Sequence, residues 1–174
     1  MCANTMLLKR NRNMKLIILS GLLLLASVGS ADVTRHPLPN NSTFPIAQAV
    51  EVSAGTTLVY HSGTLPRPAD PDAERGSREY WGDTEAQANS VFDSMQASLN
   101  NLNLGFGDVV KMTVFLVGDP ELNDRMDFAG FMRAYSKHFG TDEQPNKPAR
   151  SAIQIAALVR PNVFVEVEVI LARQ

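Results

Sequence analysis

Apolar residues recur along this chain with two periods, and the points where the period changes mark the elements. Ala47 to Val52 and Thr57 to His61 are short alternating segments containing valine, parted by Ser53-Ala54-Gly55, a turn signal; together they predict a hairpin. Thr64 to Asp83 keeps no period and holds Pro66, Pro68, Pro71, Gly76 and Gly82 among many charges. That composition predicts a long surface loop, either a functional rim or a tolerated insertion. Thr84-Glu85-Ala86-Gln87 fits a capping box, and Ala88, Val91, Phe92, Met95, Leu99 and Leu102 then recur at helical spacing, with Gly105 and Gly107 ending the helix. Asp108 to Val117 is a near-continuous apolar run, which predicts a strand central in its sheet.

A second helical region opens at Asp119-Pro120, a cap followed by a first-turn proline, and its later part carries Phe128, Phe131, Met132, Tyr135 and Phe139 at steps of three and four. This aromatic stripe reads as core rather than as a cofactor box, and Gly140 supplies a C-cap. A loop with Pro145 and Pro148 leads to two final strands, Arg150 to Leu158 and Val163 to Ala172, read as a C-terminal hairpin. Ahead of everything, Asp32 to Thr43 is polar with two prolines and reads as an extended arm. The order of two strands, helix, strand, helix, two strands predicts an α+β sheet with both helices on one face.

The first 31 residues follow a different rule. Lys9, Arg10, Arg12 and Lys15 precede the apolar run Leu16 to Val28, and Gly29-Ser30-Ala31 offers small residues for cleavage, the order of a secretory signal peptide. The apolar run is shorter than the roughly 20 residues that cross a bilayer, so a periplasmic or secreted product without a stable membrane anchor is expected. Residues 32–174 then form a single domain, large enough to bury a core. The signal segment carries four of the 16 basic residues and none of the 18 acidic ones, which leaves a mature charge of −6. Nucleic acid is not an expected partner, because its binding rests on clustered Lys and Arg. The single cysteine, Cys2, is lost with the segment, and with it any disulfide, thiolate ligand or cysteine nucleophile.

The remaining chemistry narrows quickly. Ser62, in Tyr60-His61-Ser62-Gly63-Thr64, lacks the leading glycine of a nucleophile elbow, and neighbours on a strand face opposite ways, so His61 and Ser62 are poor partners. His36, His61 and His138 have no metal-site spacing, and no glycine-rich phosphate loop is present; no metal and no cofactor are expected. In Val165-Glu166-Val167-Glu168-Val169 the two carboxylates share one face of a strand. From alternation alone, a solvated face is the simpler reading.

Pro148-Ala149-Arg150-Ser151, its continuation Ala152-Ile153-Gln154-Ile155-Ala156-Ala157-Leu158, and Val165-Glu166-Val167-Glu168-Val169-Ile170 resemble the C-terminal signature of the RidA (YjgF) family. Gly107-Asp108-Val109-Val110-Lys111-Met112-Thr113-Val114-Phe115 resembles its central strand, and Val59-Tyr60-His61-Ser62-Gly63 its second strand, in the correct order over about Phe44 to Arg173. The resemblance implies a chorismate-mutase-like α+β fold, a mixed sheet with two helices on one face, assembled as a homotrimer with clefts between subunits. It implies hydrolysis of reactive 2-imino or enamino acids to 2-oxo acids and ammonia, without cofactor. Arg150 would grip the substrate carboxylate with its guanidinium fork. Glu166 would activate the attacking water. Ser62 would be the pocket serine, and backbone groups near Ala152 would complete the pocket.

Two family positions differ: Ile46 stands at the pocket tyrosine and Met132 at an asparagine of the second helix, and both changes remove hydrogen-bonding groups. A more apolar carboxylate is one consequence. An enzyme and a non-catalytic trimer that binds small carboxylates or acts as a chaperone-like scaffold both stay open. The resemblance also raises ribonuclease activity, against which the charge of −6 argues.

Overall fold

The computed structural model describes residues 32–173; the expected signal peptide lies outside the described residues. Among the described residues six strands and three α-helices follow in the order β1 (Val33–Pro37), β2 (Ala47–Val52), β3 (Thr57–Thr64), α1 (Arg78–Trp81), α2 (Thr84–Asn101), β4 (Val109–Val117), α3 (Phe128–Tyr135), β5 (Ala149–Ile155) and β6 (Val165–Arg173). Across the sheet they run β1-β2-β5-β4-β6-β3. β4 lies parallel to β5 and antiparallel to β6, the central place its apolar run implies.

The helices α2 and α3 pack on one face of the sheet, as expected. Ala88, Val91, Phe92, Met95 and Leu99 of α2 and Phe131, Ala134 and Tyr135 of α3 meet Met112, Val114 and Leu116 of β4 and Val165, Val167 and Leu171 of β6 in a single core. Each such large apolar side chain contributes about 1.5–3 kcal/mol when fully buried. Asp83, rather than Thr84, caps α2: its carboxylate accepts from Ala86 N at 2.8 Å, and an acidic cap also suits the helix dipole. In the second helical region, Asp119 caps only a short 3-10 turn over Pro120–Leu122, and α3 begins afresh with Asp127 as its cap.

Both expected hairpins are absent as pairings. The Ser53–Thr56 turn forms, with Thr56 N donating to Ser53 O at 3.2 Å, but β2 pairs with β1 and β3 pairs with β6. Likewise β4 is inserted between β5 and β6. The segment read as an arm contains β1, whose ribbon with β2 joins the sheet through one pair, Ala47 with Ala149. Arg35 stitches that ribbon across the strand ends by donating to Val109 O at 2.9 Å, Lys147 O at 3.0 Å and Gly107 O at 2.8 Å.

The stretch expected to be a surface loop is anchored. It contains α1, buries Trp81, and is held by Asn162 Nδ2 donating to Gly76 O at 2.9 Å. Arg78 adds a two-pronged bond to the buried Asp119, at 2.7 and 2.9 Å. No helix among the described residues is long and apolar enough to cross a membrane.

Candidate active site on two faces of one sheet

Arg150 stands opposite Met112, on the face covered by the helices. Its guanidinium carbon lies 4.2 Å from the ring centroid of Tyr135, 5.5 Å from Phe131, 5.4 Å from Phe44 and 5.8 Å from Phe128. The aromatic stripe of α3 is core, as its spacing implies, and it also boxes in a cation. The Tyr135 hydroxyl donates to Pro45 O at 2.7 Å, which fastens the Phe44–Pro45 segment to α3. Burial pulls the Arg150 pKa below the ordinary arginine value, against the opposing influence of Tyr135, though a guanidinium stays charged. Its Nη1 is buried and has no hydrogen-bond partner among the described residues. A buried charged donor without a partner is costly, and an incoming carboxylate is the group that relieves it.

Ala152, two residues along β5, is on the same face and packs against the core. Ile46 and Met132, both apolar, are half-buried.

Glu166 is elsewhere. It stands opposite Phe115, on the face that the helices leave open, while its neighbours Val165 and Val167 point into the core. Two residues of β3, Ser62 and Gly63, sit opposite one residue of β6, because the register slips between His61 and Thr64. Such bulges re-aim side chains and recur beside active sites. Gly63 leaves room for the Glu166 carboxylate: a Cβ added there would collide with Glu166 Oε1 unless that side chain moved aside. Ser62 lines a concavity of about 360 Å³ on the open face together with Tyr60, Lys111, Thr113 and Glu168. The four expected site residues therefore fall into two pairs, Arg150 with Ala152 and Glu166 with Ser62, on opposite faces of one sheet.

The sequence reading missed Phe44 and Tyr135 as neighbours of Arg150. Tyr135 was visible only as one member of an apolar stripe, and Phe44 carried no periodic signal.

A mixed α+β sheet with two helices packed on one face is the chorismate-mutase-like design anticipated above. The sequence matches the family described as Endoribonuclease L-PSP over residues 40–173. A RutC family protein of Haemophilus influenzae is 33% identical over 131 residues, which span 75% of this chain and 88% of that protein. Escherichia coli K12 TdcF, described as "Putative reactive intermediate deaminase TdcF", is 31% identical over 129 residues, spanning 74% of this chain and 87% of its own length. Among solved structures, yeast Mmf1 is 30% identical with a TM-score of 0.51, over 82% of this chain and 100% of its own. A Rid-family protein of Yersinia pestis, YyfB, superposes with a TM-score of 0.59 at 20% identity over 80% of this chain and 98% of its own, a likeness of fold. The chain belongs to this family, the RidA (YjgF) family.

Proposed function

We propose that this chain hydrolyses reactive 2-imino or enamino acids to 2-oxo acids and ammonia, outside the cytoplasm, at a pocket completed between subunits of a homotrimer. The observation that carries this reading is the Arg150 guanidinium, desolvated among aromatic rings and holding a donor with no partner. Membership of a family with a relative described as "Putative reactive intermediate deaminase TdcF" supports it. The opposite facing of Arg150 and Glu166 argues for the interface, because no small substrate touches both faces of one sheet.

In the proposed site, Arg150 of one subunit anchors the carboxylate through two parallel bonds. Glu166 of the neighbour accepts a proton as water oxygen bonds to the imine carbon and the C=N pair moves onto nitrogen. Glu166 returns that proton to nitrogen, giving a carbinolamine; the carbinol hydroxyl proton then passes to nitrogen as its O–H pair forms C=O and the C–N bond breaks, so ammonia departs and the 2-oxo acid remains. Ser62 and backbone groups near Ala152 orient the two reactants. The competing reading, a non-catalytic carboxylate-binding trimer, draws on Ile46 and Met132, which bring no hydrogen-bonding group.

The test is decay of imines generated by an amino-acid oxidase, followed with and without purified protein. Faster decay is expected, and an unchanged rate overturns the enzymatic reading. Mixing Arg150→Met and Glu166→Gln subunits adds a sharper result. Random equal reassembly leaves about one quarter of the interfaces with both residues intact, so about a quarter of wild-type activity should return. A site contained in one chain predicts no recovery.

A further inference from the structure

The four rings around Arg150 differ in exposure. Phe131 and Tyr135 are fully buried and form the floor of the box. Phe128 is half-buried and Phe44 is 38% exposed, so these two form its mouth. Their rings lie nearly parallel, 24° apart, with centroids separated by 6.5 Å. Phe44 is also held in place by its backbone: its N–H donates to Ser42 Oγ at 3.3 Å, its carbonyl accepts from Ile46 N at 2.8 Å, and the next carbonyl accepts from Tyr135. A rigid, solvent-reaching ring beside a buried cation is poised for recognition, since little ordering remains to be done on binding.

A carboxylate that reaches Arg150 from solvent brings its α-carbon and side chain past this mouth. We propose that Phe44, together with Phe128, is the specificity wall of the site and selects carboxylates with aromatic or bulky branched side chains over those with small ones. This rests on the carboxylate-holding reading of Arg150 given above. The half-buried, apolar Ile46 and Met132 agree with an apolar side-chain environment. Offset or edge contacts with aromatic rings favour an aromatic side chain beyond burial alone, so two rings are expected to give roughly a tenfold preference.

Calorimetry on the purified protein tests this with two 2-oxo acids, pyruvate and 2-oxo-3-phenylpropanoate, which report binding whether or not turnover occurs. Wild type should bind the phenyl acid at least about tenfold more tightly, and Phe44→Ala should bring the two affinities within about threefold. Phe44→Leu, which keeps apolar bulk, should retain an intermediate preference, and circular dichroism confirms that each variant is folded. Equal affinities in wild type, or an undiminished ratio in Phe44→Ala, overturns the wall. Binding of neither acid by wild type overturns it together with the role of Arg150. A clear preference in calorimetry combined with no acceleration of imine decay leaves the wall standing and removes the deaminase reading.

Discussion

Arg150→Met separates function from stability, because this arginine sits where the fold gains little from it. On the cost side, a buried N–H without a partner forfeits about 1–3 kcal/mol, and the desolvation of the charge adds to that. On the gain side, Tyr135 at 4.2 Å returns about 2 kcal/mol as a desolvated cation–π contact, and the rings at 5.4–5.8 Å return less each. Methionine keeps an apolar stem of similar reach among those rings and carries no charge to desolvate. Replacement of buried charge by apolar groups is commonly neutral or stabilising. Urea denaturation should therefore find Arg150→Met between unchanged and about 2 kcal/mol more stable than wild type. In the same assay a 2-oxo acid at about 100 times its Kd should stabilise wild type by about 2.7 kcal/mol and the variant not at all. A loss of more than about 1 kcal/mol in the variant would refute the reasoning and make Arg150 a structural cation held by its rings.

Arg78→Met should cost about 3 kcal/mol in urea, since it leaves the Asp119 carboxylate buried with only a backbone partner, Glu121 N at 2.9 Å. The exposed contact of Arg78 with Glu121 adds little to that figure. The bond from Arg78 holds the Asp119 pKa below the ordinary value, so the pair's contribution is present above the unfolded pKa of about 3.9 and is lost as pH falls towards the folded value. The acid limb of a stability–pH curve should accordingly be shallower in Arg78→Met than in wild type. Gly63→Ala should push aside the flexible end of Glu166, leaving stability within about 1 kcal/mol while lowering imine turnover by as much as about a hundredfold; unchanged turnover would count against Glu166 as the base.

What was legible in the sequence follows from which forces are local. The helical spacing from Ala88 to Leu99 and the apolar run around β4 place their elements closely, because burial on one stripe or on two faces leaves a periodic mark. Pairing leaves none. Ser53-Ala54-Gly55 does turn the chain, but β2 pairs with β1 and β3 with β6, and contacts such as those of Arg35 with three carbonyls more than 70 residues away lie in no single window of sequence. β1 was hidden because Pro37 and the following prolines mask a strand that pairs on one side only. The four residues of α1 are too few to show a period, and its anchor, the Arg78–Asp119 pair, joins positions with no sequence relation. At the site, the resemblance singled out Arg150 and Glu166 by residue type. Their separation onto two faces depends on cross-strand register, to which only β4, pairing with both strands, gives access.

That separation ties the proposed chemistry to assembly. Across the open face, Ile153, Phe115 and Glu166 form one row and Ser151, Thr113 and Glu168 the next, with Ile170 and the 74%-exposed Tyr60 beyond them. A sheet face of this kind, with Phe115, Ile153 and Ile170 uncovered by the chain's own helices, is the sort of apolar surface that associating subunits bury. In the proposed trimer, covering this face and carrying Glu166 to a neighbour's Arg150 are one event. The acid and the cation then meet only where water has already been displaced from between the subunits, and there the attraction between anchor and carboxylate is strongest. On this reading a lone subunit lacks the second residue, so loss of assembly should abolish turnover even where Arg150, Phe44 and their bound carboxylate are intact.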